Sequence, residues 1–231
     1  MSFIILTLLL AVIQLFGQID NVFGFEIDIS EAPWQASVLV HDKHRCGGVI
    51  YKDNVILTIA QCVKGVRTGN LAVRVGSDQM DLGGQVVPVT KVVMQLMGSR
   101  PSDVAILTLK DSVELNDNVK PIELASRTPR TGTKASVTGW ANVVGEEPAE
   151  EILMKTNLTI VEKRDCRGND YLIKRILSLD ELCASKSNSS NLICQGFSGG
   201  PLVSDGKLIG IGSWNSKCDF LRSPLYMLIF P

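Results

Sequence analysis

With 231 residues, 45% of them hydrophobic, the chain is long enough for one large domain with a buried core or for two small halves. Lys and Arg total 23 against 24 Asp and Glu, a formal net charge of −1. That balance gives no support to a nucleic-acid partner, which favours a clustered basic face.

The chain opens on an apolar run from Phe3 to Phe16. The run is short for a membrane span, which needs about 20 apolar residues, and it predicts a signal peptide over 1–17, cut after Gly17. Its n-region carries no positive charge, and a membrane anchor is the competing reading. A secreted, extracellular protein with no membrane attachment after signal removal is expected. Short apolar runs then recur between turn signals: Ala36–Val40, Gly48–Ile50, Val55–Ile59, Leu71–Val75, Gln85–Met94, Val104–Leu109, Ala135–Thr138, Met154–Ile160 and Lys207–Trp214. Many are β-branched and spaced like the strands of a barrel or sandwich, so the fold class is all-β. Gly69-Asn70, Gly76-Ser77-Asp78, Gly83-Gly84 and Asp205-Gly206 punctuate them as turns. A short helix is expected over 165–174. Asn157-Leu158-Thr159 and Asn188-Ser189-Ser190 match the glycosylation sequon, with Asn188 in the more polar surroundings and Asn157 within a candidate strand.

Six cysteines in a secreted chain imply three disulfides, and sequence alone leaves fifteen connectivities. No pair has Cys-x-x-Cys spacing, and His41 and His44 lack further close ligands, so no metal site and no cofactor are expected.

The candidate chemistry lies in Gly196-Phe197-Ser198-Gly199-Gly200-Pro201, a Gly-rich turn with a hydroxyl at its centre. A serine hydroxyl is a poor nucleophile without an adjacent base and a carboxylate that orients the base. Asp103 is a plausible orienting carboxylate. The two histidines both precede the segment Leu57-Thr58-Ile59-Ala60-Gln61-Cys62, where a base would be needed.

These residues carry a resemblance to the trypsin/chymotrypsin-like serine proteases. The motifs stand in order as Pro33-Trp34-Gln35, Cys46-Gly47-Gly48, Leu57 to Cys62, Asp103 to Leu107, Thr138-Gly139-Trp140-Ala141, Gly196 to Pro201 and Ser213-Trp214. The resemblance covers about residues 24–226. It implies two antiparallel six-stranded β-barrels with a cleft between them. The first barrel would span about 26–115 and the second about 130–231, joined by a linker over 111–131. It pairs Cys46 with Cys62, Cys166 with Cys183 and Cys194 with Cys218. The first bridge would close a loop of about 15 residues and contribute ~3 kcal/mol on the chain-entropy model.

The departures from the family pattern are as informative as the matches. Gln61 stands in the place of the catalytic base. An amide oxygen accepts a hydrogen bond but does not take up a proton at neutral pH. Losing that histidine costs about 10⁶ in turnover in another triad enzyme. Phe197 replaces an aspartate that, in active members, pairs with a new N-terminal amine and orders the oxyanion-hole turn, here Gly196 and Ser198. The matching activation site is also absent, since residues 18–25 contain no Lys or Arg. Leu192 falls at the floor of the specificity pocket and Asn215 and Leu225 at its walls, so the pocket is expected to be filled and unattractive to Lys or Arg. His44 matches a structural family histidine, and a rescue in which it reaches Ser198 is the competing reading. The chain stops soon after Pro224, so the family's C-terminal helix is expected to be missing or truncated.

The expectation is therefore a secreted, non-catalytic protease homologue, not an enzyme, with a protein partner (a protease, inhibitor or surface ligand). The acidic stretch 146–151 is either a solvated loop or a docking site for a basic partner. The alternative is a serine-type endopeptidase of weak or unusual activity.

Overall fold

The computed structural model describes residues 24–97, 100–140, 152–163, 181–185, 196–212 and 225–228, with residues 95–97, 100–103 and 225–228 placed by their backbone alone. Among the described residues there are 13 strands and one short α-helix. The strands are β1 Phe25–Glu26, β2 Gln35–Val40, β3 Lys43–Lys52, β4 Val55–Ile59, β5 Leu71–Val75, β6 Gln85–Met97, β7 Arg100–Leu109, β8 Lys134–Gly139, β9 Met154–Val161, β10 Glu181–Ser185, β11 Pro201–Ser204, β12 Lys207–Gly212 and β13 Leu225–Leu228. The helix α1 is Ala60–Val63. No helix among the described residues is long and apolar enough to cross a membrane.

Strands β2-β3-β4-β7-β6-β5 form a closed antiparallel barrel. The β2–β5 ladder, from Ala36↔Val75 to Val40↔Leu71, closes it and leaves no edge for a foreign strand. The other strands run β1-β9-β10-β13-β12-β11-β8, and β8 pairs again with β9 from Lys134↔Thr159 to Gly139↔Met154. Six of these seven strands therefore form a second ring, with β1 appended to β9. The fold class expected from sequence is observed.

Period-2 alternation selects the inward faces. Leu71, Val73 and Val75 of β5 are buried while Ala72 and Arg74 are half-buried. Met154, Thr156, Leu158 and Ile160 of β9 point inward in the same way. The first core gathers Val38, Val49, Ile50, Ile56, Val73 and Leu107, and the second Val137, Leu158, Leu182, Leu202 and Ile209. The Asp205-Gly206 turn, both residues at positive φ, joins β11 to β12 as its sequence predicts. His41 and Asp42, at φ 51° and 62°, make a similar turn between β2 and β3 without a glycine to announce it.

All nine strand expectations correspond to observed strands. The strands β1, β11 and β13 have only two to four residues, too few to show a period in the sequence, and β10, buried over four of its five residues, carries no alternation to reveal it. The helix expected over 165–174 and the N-terminal leader lie outside the described residues. Cys46 and Cys62 form the expected disulfide, with a Cα–Cα separation of 6.1 Å. Cys183 is also disulfide-bonded, while Cys166, Cys194 and Cys218 lie outside the described residues.

Candidate active site

The turn that carries Ser198 is built from close backbone approaches. Its ends are Gly196 and Gly199, at φ 96° and 79°, a region that L side chains rarely adopt. The Gly199 N–H donates to Gly212 O at 2.7 Å, and the Gly200 N–H closes the turn on Phe197 O at 2.9 Å. From the first barrel, the Gly47 N–H donates to Ser198 O at 2.8 Å. A Cβ on Gly199 would lie 2.2 Å from Gly47 O and 2.6 Å from Thr58 Oγ1, so only glycine permits this contact between the two halves. Ser198 itself is half-buried.

Several backbone N–H groups meet in this region. Those of Gly47, Gly199 and Gly200 are spent inside the protein. Those of Gly196 and Ser198 donate to no partner among the described residues. The Phe197 N–H likewise has no acceptor among the described residues, so the two amides that the family resemblance assigns to the oxyanion hole are two of three consecutive ones without a described partner.

Phe197 takes a place that sequence reading missed. It is 2% exposed and packs in the second core with Val137, Leu158, Leu202 and Ile209. Full burial of such a side chain is worth about 1.5–3 kcal/mol. The turn is therefore pinned by an apolar anchor and needs no ion pair at this residue. The only sequence signal was a lone aromatic inside a Gly-rich run.

Gln35 stitches the halves together. It is 1% exposed, and its Oε1 accepts from Thr138 Oγ1 at 2.7 Å across 103 residues of sequence. Thr58 Oγ1 donates to Gly47 O at 2.8 Å and supports the strand that touches Ser198.

Gln61 is exposed on α1. The Cys46–Cys62 bridge ties α1 to β3 one residue from each of Gln61 and Gly47. Asp103 lies on β7 by its backbone, next to Val104, which pairs with Ile59 just before α1. The chain thus carries Gln61 and Asp103 on neighbouring elements of the first barrel and Ser198 on the second ring. No hydrogen bond among the described residues joins Gln61 to the Ser198 hydroxyl, and the three are not seen as an assembled triad.

His44 is held elsewhere. Its Nδ1 lies 2.7 Å from Ser37 Oγ, and its ring meets Trp140 edge-on at 5.2 Å. Burial pushes its pKa down to about 4, against an opposing pull from Asp81, so the ring is neutral at pH 7. These contacts are the structural role expected for it.

Leu225 sits on β13, paired with Ala184 of β10. Leu192 and Asn215 lie outside the described residues, as does the sequon at Asn188. Asn157 is exposed on β9. Among the described residues no cluster of His, Cys, Asp or Glu has the makings of a metal site.

The family model described as Trypsin matches residues 21–226. Trypsin delta of Drosophila erecta is 36% identical over 215 residues, covering 91% of this chain and 83% of that protein. Trypsin alpha-4 of Lucilia cuprina is 36% identical over 217 residues, covering 91% and 82%. Among solved structures, the scabies mite inactivated protease paralogue S-D1 superposes with a TM-score of 0.80 at 27% identity, covering 90% of this chain and 92% of that one.

These likenesses correct one expectation, that the chain is not an enzyme. The curated relatives that match 91% of it are named trypsins. The physical reason is that the expectation weighed a missing base too heavily. Removing any one triad member still leaves about 10³–10⁴-fold catalysis over water, from the oxyanion hole and substrate binding alone.

Proposed function

The chain belongs to the trypsin family, and from that premise we propose that it is a secreted serine-type endopeptidase of weak activity. The observation that carries this reading is the pair of unspent N–H groups of Gly196 and Ser198, held beside the Ser198 hydroxyl by a turn that packing has fixed.

In the proposed reaction the Ser198 oxygen attacks the carbonyl carbon of a peptide bond. The C–O bond forms as the carbonyl π bond opens, and the two N–H groups receive the negative oxygen that develops. Gln61, an amide, supplies no base to the hydroxyl. It does not hold the proton, which passes to water, and water also protonates the leaving amine. The acyl-enzyme is then hydrolysed. Without a base of suitable pKa the attack forgoes most of a triad's rate, about 10⁶ in turnover in another triad enzyme, and keeps a residual of about 10³–10⁴-fold over water. The likeness to inactivated paralogues of the scabies mite supports the weak end of that range.

Two measurements on purified secreted protein test this. A fluorophosphonate should modify Ser198 slowly, and a peptide pool should show multiple-turnover cleavage that Ser198→Ala removes. Neither modification nor Ser198-dependent cleavage, at enzyme concentrations sufficient to detect 10³-fold catalysis over water, would overturn the reading.

A further inference from the structure

A groove of about 260 Å³ opens beside Gln61, lined by Val40, Lys43, His44, Arg45, Cys62, Lys64 and Val66 with Gln61 itself. Lys43, Arg45 and Lys64 are exposed. None of the three makes an ion pair with a described residue. Among the described residues no carboxylate lines the groove. The nearby Asp81 receives the backbone N–H of His44 and is not part of the lining. Three cations with no ion pair among the described residues stand around one concavity, in a chain whose formal net charge is −1.

The backbone explains how they converge. In a regular strand, consecutive side chains point to opposite faces. Here Lys43, His44 and Arg45, three in a row on β3, all line the same groove. The β2–β3 register passes from Val38↔Cys46 to Leu39↔His44, so Arg45 is an extra residue without a partner. Such a bulge re-aims a side chain, and bulges concentrate beside active sites. Lys64 arrives from the other wall, just past the end of α1. The Cys46–Cys62 bridge fixes the two walls to each other. Two residues beyond Arg45, Gly47 touches the Ser198 turn.

We propose that this cationic groove binds an acidic stretch of the peptide substrate, seating aspartate or glutamate side chains next to the bond presented to Ser198. This rests on the endopeptidase reading for its role in cleavage, but binding is a separate property. The groove has room for one or two side chains, which favours a peptide over a long sulfated polysaccharide.

The test uses the full chain carrying Ser198→Ala, so that binding is read without hydrolysis. The probes are a fluorescein-labelled Ala-Gly decapeptide with two adjacent glutamates and its two-glutamine counterpart, followed by fluorescence anisotropy. The glutamate peptide should bind about tenfold more tightly at low salt. The difference should shrink at 1 M NaCl, where the Debye length is about 3 Å, and vanish in the triple variant K43Q/R45Q/K64Q. Equal affinities for the two peptides, a preference that survives in the triple variant, or displacement of the glutamate peptide by a heparin oligosaccharide at lower concentration than by the unlabelled glutamate peptide would each overturn the proposal. A glutamate preference in binding, with no Ser198-dependent cleavage by the unsubstituted chain, would instead sink the endopeptidase reading and leave the groove intact.

Discussion

The two halves of the molecule hold their functional residues by different means. On the second ring, Ser198 sits in a turn that packing determines: Phe197 is sunk in the core, and glycines let three strands approach the backbone. On the first barrel, Gln61 is an exposed residue on a helix of 4 residues, kept in place by a disulfide and the β4–β7 ladder. The nucleophile side is therefore costly to change and the base side cheap. A family site can lose its imidazole without disturbing the fold, because nothing in the core depends on it.

The sharpest way to break this comparison is to cut both cores equally. Phe197→Ala and Ile56→Ala should each cost about 2–5 kcal/mol in denaturant unfolding. At a temperature where both variants remain folded, only Phe197→Ala should lose fluorophosphonate modification of Ser198. Equal loss in both would mean that the anchor has no special hold on the turn.

A pH effect of somewhat smaller size comes from His44. Its pKa is about 6.5 unfolded and about 4 in the native state. Between those values the unfolded chain binds more protons. Stability is therefore full above pH 6.5 and falls as the pH drops towards 4, by about 3 kcal/mol. Denaturant midpoints across that window should show the fall in the native chain and lose most of it in His44→Gln. A flat profile in the native chain would show that the ring is not held neutral.

Gln61→His should leave the unfolding midpoint within about 0.5 kcal/mol, as for other exposed positions. It should raise Ser198-dependent cleavage by about 10²-fold, the lower part of the general-base range. No change in rate would show that α1 does not present residue 61 to the hydroxyl.

The smallest effect sits on the seam. Gln35→Leu strips Thr138 Oγ1 of its acceptor in a buried place and should cost about 1–3 kcal/mol. If it also slows modification of Ser198, the two halves communicate through this bond; an unchanged modification rate would confine its role to stability.

Much of this was legible in the chain. Short apolar, often β-branched runs between turn signals marked nine of the strands, because a buried strand needs apolar residues and a turn needs glycine or a small polar one. Asp205-Gly206 announced its hairpin, because glycine accepts positive φ freely. The ordered motifs announced Gln61, Asp103 and Ser198 as candidates. Other features were hidden. Phe197 read as a lost charge because a sequence does not show what a side chain is packed against. Arg45 drew no notice in the sequence because a bulge exists only relative to a partner strand. The availability of the Gly196 and Ser198 amides depends on where every neighbouring carbonyl goes.

By itself, then, the sequence determined the fold class, the Cys46–Cys62 pair by family likeness, and the chemical poverty of an amide where a base belongs. Those are local or pattern-borne properties, set by side-chain type and spacing. Tertiary structure alone decided that an aromatic anchor replaces a charge pair beneath Ser198, and that three cations from β3 and the end of α1 meet in one groove. Both arise from contacts between residues remote in the chain or from strand register, and neither is encoded at any single position.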